Sequence, residues 1–181
     1  MGRTLRIKRF KGEEELKIDS KGRVSIPANF RRVLESQDPD WTEGKSVGMT
    51  IVYGSHLTNH IECYSVDTMS EVEELIDRMP SAGVRAKTMV RNFLTESLDF
   101  SIDDTGRIVL PAKLRTKLGV ALGDAVMFAG CGKTFRIWNP TAYADVVAAE
   151  TAALEEDEPA FDPDAILDEL RGLTAPLAGG L

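Results

Sequence analysis

At 181 residues, with 43% hydrophobic and 28% charged side chains, the chain has the make-up of an ordinary globular protein and length enough to bury a core. No apolar run reaches membrane-spanning length, the basic start lacks a signal peptide's apolar stretch, and two cysteines outside any C-x-x-C spacing exclude a disulfide framework or zinc site, which points to the cytoplasm. A net charge of −7 speaks against nucleic acid until it is divided along the chain.

Residues 1–35 hold ten Lys/Arg against five Asp/Glu, so the chain opens basic. Leu16 and Ile18 alternate with charge, and Val24 and Ile26 alternate about Ser25, which predicts two strands. Between them Asp19–Gly22 has Asp at the first and Gly at the fourth place of a type I turn, and reads as a hairpin turn followed at once by Arg23. Pro27 closes the second strand and starts a helix over Ala28–Leu34. Ser36–Ser46, with its Asp38-Pro39-Asp40 turn, reads as an insertion. Strands are predicted at Thr50–Gly54 and His60–Tyr64, then a helix over Ser70–Met79 with Val72, Leu75, Ile76 and Met79 on one face, stopped by Pro80. A second helix, Arg85–Glu96, carries Met89, Phe93 and Leu94.

Then the pattern restarts. Ile18–Arg31 returns 84 residues later as Ile102–Arg115, matching in Asp, Gly, Arg, Pro, Ala and the final Arg. Asp103–Gly106 is the second turn, Arg107 follows it, and Pro111 opens a helix over Ala112–Leu118 that Gly119 ends. Val126–Gly130 and Thr134–Trp138 echo the later strand pair, and Thr141–Leu154 the appended helix, with Tyr143, Val146, Val147 and Leu154 on one face. A repeat this long means two copies of one structural unit. The organisation expected is residues 10–80 as the first unit with its helix, 81–97 as a bridging helix, 98–154 as the second unit with its helix, and 155–181 as an acidic tail. Residues 145–181 hold ten acids and one base, so the acid is segregated in an appendage and the whole-chain charge says little about the working surface. Asp162-Pro163 reads as a helix start, Ile166, Leu167, Leu170 and Leu173 as a short apolar stripe before a Pro/Gly end. This segment is a docking helix or a flexible tail.

An arginine just beyond a tight turn presents its planar fork from rigid backbone, with little entropy left to lose. Such a fork bonds a phosphate or the O6/N7 edge of guanine, and a two-stranded ribbon fits the major groove. Asp19 and Asp103, four residues before Arg23 and Arg107, are placed to orient the guanidinium groups, while Lys17, Lys21, Arg31 and Arg32 add phosphate attraction. The bland reading of each Asp–Arg pair is a surface ion pair. Turn chemistry alone explains Asp and Gly but not an arginine in both copies beside further bases. Arg31 and Arg115 are read equally as DNA contacts or as helix-surface arginines covering apolar area. Pro27, Ala28, Pro111 and Ala112 are structural. Cys131–Thr134 lacks the glycine of a phosphate loop and reads as a hairpin turn, and His56/His60 lack the context of a zinc-binding helix.

Together, residues 18–31 and 102–115 resemble the paired Asp-x-x-x-Arg motifs of the MraZ family, bacterial members of the AbrB-like swapped-hairpin DNA-binding superfamily. The resemblance extends to about Ala144 and includes the Pro-Ala-x-x-Arg helix starts and the Phe135-Arg136-Ile137-Trp138 strand. It implies a mainly β fold with short helices (α+β), in which two tandem AbrB-like swapped-hairpin units pack with pseudo-twofold symmetry, here followed by the acidic C-terminal tail. It further implies a transcriptional regulator that assembles with itself into a ring homo-oligomer and binds repeated short G-rich boxes upstream of the division and cell-wall gene cluster, its own promoter included. Carried onto this chain, the motif residues are Asp19, Lys21 and Arg23, then Asp103 and Arg107. The second copy has Thr105 where the first has Lys21, and so loses a cation.

The expectation is therefore a non-enzymatic regulator of the cytoplasm and nucleoid whose partner is double-stranded DNA, with no cofactor, no metal, no membrane and no small-molecule substrate. Its DNA-binding residues are Lys21, Arg23, Arg107, Arg31 and Arg115, its orienting residues Asp19 and Asp103, its turn residues Gly22 and Gly106. The alternative is an antitoxin-like interaction protein whose acidic tail holds a partner protein and whose hairpins bind DNA secondarily.

Overall fold

Alternating apolar side chains in short runs, punctuated by turn-forming Asp and Gly, produce eight strands and six α-helices among residues 8–174, which a computed structural model describes. The first copy comprises β1 (Glu13–Lys17), β2 (Arg23–Ser25), α1 (Ala28–Ser36), β3 (Gly48–Val52) and β4 (His60–Ser65). The second comprises β5 (Ser97–Ser101), β6 (Arg107–Val109), α4 (Ala112–Leu118), β7 (Ala125–Gly130) and β8 (Phe135–Trp138). Between them run α2 (Val66–Asp77) and α3 (Val84–Val90); after them come α5 (Pro140–Asp157) and α6 (Pro163–Thr174).

The copies do not fold side by side. One antiparallel sheet runs β1-β7-β8-β4-β3-β5, so the first strand of each copy lies against a strand of the other: Glu13 faces Ala129 in the β1–β7 ladder, while β5 extends β3. A separate ribbon joins β2 to β6, with Val24 opposite Ile108. Both central pairings, β4 with β8 and β2 with β6, join like to like across a pseudo-twofold axis. The expected turns form, closed by Gly22 N–H to Asp19 C=O at 3.1 Å and Asp19 N–H to Arg23 C=O at 2.9 Å, with the same pair of bonds in Asp103–Arg107. The strands flanking each turn, however, do not pair with one another as a simple hairpin would. Each turn is a crossing point between two ladders.

Val24, Ile26, Ile108 and Leu110 point inward with Phe30, Leu34, Leu114 and Leu118 from α1 and α4. Phe10, Phe30 and Phe135 meet with ring centroids 4.9–5.6 Å apart, and Phe128 lies 6.2 Å from Phe135. These residues come from both copies, so neither has a complete core alone.

Several helices differ from expectation. α2 begins four residues before Ser70, because the Ser65 hydroxyl accepts the Thr68 N–H at 3.2 Å and caps it. On that helix Ile76 is buried but Leu75 is 61% exposed. The expected single helix over Arg85–Glu96 is α3 followed by a π-helical turn, Arg91–Thr95. Asp162 accepts the Asp164 N–H at 3.0 Å and starts α6, so the tail is helical through residue 174; its Pro/Gly end, 175–181, lies outside the described residues. The chain divides into two compact units between Tyr143 and Ala144.

Candidate nucleic-acid interface

Each turn aspartate organises its own arginine. Asp19 Oδ1 accepts the backbone N–H of Lys21 at 2.8 Å and of Arg23 at 2.9 Å, and its Oδ2 accepts Arg23 Nε at 2.6 Å. In the second copy Asp103 Oδ1 accepts the N–H groups of Thr105 and Arg107 at 3.0 and 2.9 Å and the Thr105 hydroxyl at 2.8 Å, while Oδ2 accepts Arg107 Nε at 3.2 Å. The carboxylates hold Nε, and among the described residues the two terminal nitrogens of each guanidinium carry no hydrogen bond and are left for an outside acceptor. These donors also hold the carboxyls ionised. The Arg23 amide leads in pulling Asp19 below its ordinary range, and the Arg107 amide, then the Thr105 hydroxyl, bring Asp103 down to about 2.

The ribbon places the two arginines on one surface. Directly opposed residues of antiparallel strands share a face, so Arg23 with Val109 and Ser25 with Arg107 make one face, while Val24 and Ile108 make the other. The second face is buried at 1–2% exposure; on the first, Ser25 is exposed and Val109 is 55% exposed. Arg23 and Arg107 thus stand at diagonal corners of a solvent-facing ribbon, each with a side chain 32% exposed. Ile26 N–H to Gly106 C=O at 2.9 Å and Leu110 N–H to Gly22 C=O at 2.7 Å extend the ribbon at both ends and tie each strand to the other copy's turn.

Arg31 and Arg115 occupy reciprocal places. Gly22 and Gly106 have φ of +79° and +82°, which glycine adopts without penalty. A Cβ on Gly22 would lie 2.9 Å from Arg115 Nη1, and one on Gly106 would lie 2.4 Å from Arg31 Nη1. The helix arginine of each copy therefore covers the turn of the other, and Arg115 Nη1 also donates to the Leu110 carbonyl. Arg31 Nε is buried without a hydrogen-bond partner among the described residues, and Arg31 lines a cleft of about 560 Å³ between the second turn and the Trp41–Val47 loop. The exchange makes the two tips unequal in composition: the first carries Asp19, Lys21 and Arg23 with Arg115 over Gly22, and the second carries Asp103, Asp104 and Arg107 with Arg31 over Gly106.

Ser25 and Val109 were not singled out by sequence; strand alternation from Arg23 and Arg107 was the available signal. Lys113 and Lys117 are tied internally: the first donates to Tyr53 Oη at 2.9 Å and lies 4.5 Å over its ring, the second donates to the Gly54 carbonyl. Cys131 N–H meets Thr134 C=O at 2.9 Å, the bond of a tight turn between β7 and β8. His60 stacks on Trp138 at 4.1 Å, and burial lowers its proton affinity. Among the described residues no group of His, Cys, Asp and Glu is placed to hold a metal ion, and no helix is long and apolar enough to cross a membrane.

The family model "MraZ protein, putative antitoxin-like" matches residues 9–92 and again 93–162, dividing the chain as the repeat does. The chain is 47% identical to the transcriptional regulator MraZ of Ruegeria pomeroyi over 166 residues, 91% of this chain and 98% of the relative. It is 42% identical to the protein of the same description from Cereibacter sphaeroides over 152 residues, 81% and 87% of the two chains. With that of Rhodospirillum rubrum it shares 34% over 138 residues, 75% and 83%.

Proposed function

The chain belongs to the MraZ family, and from that premise we propose that it regulates transcription by binding double-stranded DNA through the exposed face of the β2–β6 ribbon. It is a regulator and not an enzyme. The observation that carries the proposal is the pairing of Arg23 and Arg107 on one ribbon face, each held through Nε by its own turn aspartate. The ribbon enters the major groove, where a fork meets guanine O6 and N7; Val109 beside Arg23 offers an apolar contact to a thymine methyl. Lys21 adds a phosphate contact at the first tip. Arg31 and Arg115 act on DNA by holding the turns that carry the contacts and by adding positive charge around them.

The finer reading follows the family resemblance. Copies assemble into a closed ring, and successive ribbons meet successive G-rich boxes upstream of the division and cell-wall gene cluster, including the chain's own promoter, at the nucleoid. One ribbon on one box binds weakly; linked ribbons engage repeated boxes at high effective concentration, so repeats are selected over single sites.

The test is a gel-shift titration on a fragment with several G-rich boxes at two salt concentrations, with light scattering for the size of the assembly. Arg23→Ala and Arg107→Ala each lose a base contact and weaken binding by about five- to 150-fold. Binding that ignores both substitutions, or is insensitive to salt, refutes the interface.

A further inference from the structure

A half-turn about the Val24–Ile108 pair carries the β2–β6 ribbon onto itself, exchanging Arg23 with Arg107 and Ser25 with Val109. Arginine replaces arginine, but a hydroxyl replaces an apolar side chain. Ser25 and Val109 are both exposed, Val109 at 55%. The turns differ too: Asp19–Arg23 holds one acid and two bases, whereas Asp103–Arg107 holds two acids and one base. Phosphates are alike on both sides of a box and carry no sequence, so this charge difference changes binding equally in either direction. The exchange of arginines is silent as well, since each meets guanine.

We infer that Ser25 and Val109 are the specificity-determining pair that sets the direction in which the ribbon lies on its box, which rests on the ribbon being the DNA-binding face. Val109 lies opposite Arg23 and packs on the C5-methyl of a thymine beside the guanine that Arg23 meets. Ser25 lies opposite Arg107, and its hydroxyl bonds a polar base edge beside the second guanine. Turned round, Val109 covers the polar edge and Ser25 faces the methyl, so both contacts are lost. One buried methyl group and one neutral hydrogen bond together favour the correct direction about twentyfold. A ribbon with the same residue at both places reads the guanines but has no preferred direction, because its symmetry matches either one.

Directed DNA cleavage by the full chain tests this. Ser20 and Asp104 are exposed and equivalent under the half-turn, one on each tip. With Cys131→Ser removing the exposed thiol while Cys63 stays buried, Ser20→Cys or Asp104→Cys carries an iron chelate that cuts nearby DNA. On a fragment with several G-rich boxes, the label at position 20 is expected to cut one flank of each box and the label at 104 the other. The double exchange of Ser25→Val with Val109→Ser reverses the flanks, and Val109→Ser alone gives cuts on both. In a gel shift, deoxyuridine, which lacks only the methyl, replaces the thymines in and beside each box one at a time. At one position it weakens wild type about fourfold and leaves Val109→Ser indifferent. Flanks that the double exchange leaves in place overturn the inference, as does a wild type that ignores deoxyuridine at every position; cutting at the boxes then still keeps the ribbon as the DNA face. Absence of cutting at the boxes, with binding indifferent to Arg23→Ala and Arg107→Ala, refutes that face itself and the inference with it.

Discussion

Alanine at Gly106 probes the reciprocal arginine contact directly, because it adds one methyl group where Arg31 lies. Two costs are predictable. A left-handed conformation costs an L-residue about 1–2 kcal/mol, and Gly106 has φ of +82°. The new Cβ would also lie 2.4 Å from Arg31 Nη1 and 2.6 Å from Cζ, forcing the guanidinium to a poorer rotamer at about 0.5–1.5 kcal/mol. Gly123 supplies the control: its φ is +87° and a Cβ there would meet nothing within 4 Å. Gly123→Ala should thus cost the backbone portion alone, about 1–2 kcal/mol, or about 2–8 °C in Tm for a chain of this size. Gly106→Ala should fall lower by about a further 0.5–1.5 kcal/mol. Thermal and urea unfolding of both variants, with and without Arg31→Ala, complete a double-mutant cycle. In the Arg31→Ala background the cost at 106 should drop to that at 123. If instead the two substitutions add within about 0.3–0.5 kcal/mol, Arg31 does not bear on the turn and the interlock is refuted.

Acid should loosen the second turn in a defined window. Asp103 is depressed from 3.8 to about 2 in the folded chain, so the stability its bonds contribute is complete above about pH 4 and is lost as pH falls through about 2. Urea midpoints of wild type and Asp103→Asn should therefore converge across that interval, and a constant difference would refute the assignment. The unequal tips predict a charge effect on DNA. Lys21→Thr should weaken binding alike on all sequences and reduce the salt slope by about 0.9, and Thr105→Lys should increase it; unchanged slopes would remove position 21 from the phosphate contacts.

Local chemistry made much of this fold readable. Asp-x-x-Gly dictates a turn wherever it falls, and Pro111 with Gly119 bounds α4 at Ala112–Leu118 as expected. Partnership between strands was not readable, because period-two alternation specifies which face of a strand is buried and not which strand lies beside it. Hence the turns were expected to join paired strands, whereas β1 finds its ladder on β7. The same gap concealed the roles of Arg31 and Arg115, since each arginine meets a glycine of the opposite copy. At α2, the capping signal Ser65 sits on the last residue of β4, and the strand pattern obscured the helix start. Leu75 fits the stripe of a core helix yet faces outward, which periodicity alone does not distinguish from a surface kept for a partner.

The exchange of first strands also sets an order of events during synthesis. Lys17 pairs with Ala125 and Glu13 with Ala129, so β1, once it has left the ribosome, waits for more than a hundred further residues before its ladder exists. At roughly 5–20 residues per second that wait is on the order of 5–20 s, during which the first copy can form β3 with β4 but not the complete sheet. Three consecutive glutamates on β1, Glu13–Glu15, burden that waiting strand with like charge and discourage it from pairing with the same strand of a neighbouring nascent chain. β1 is made long before β7 and is seated only with it, and its acidity protects it until then.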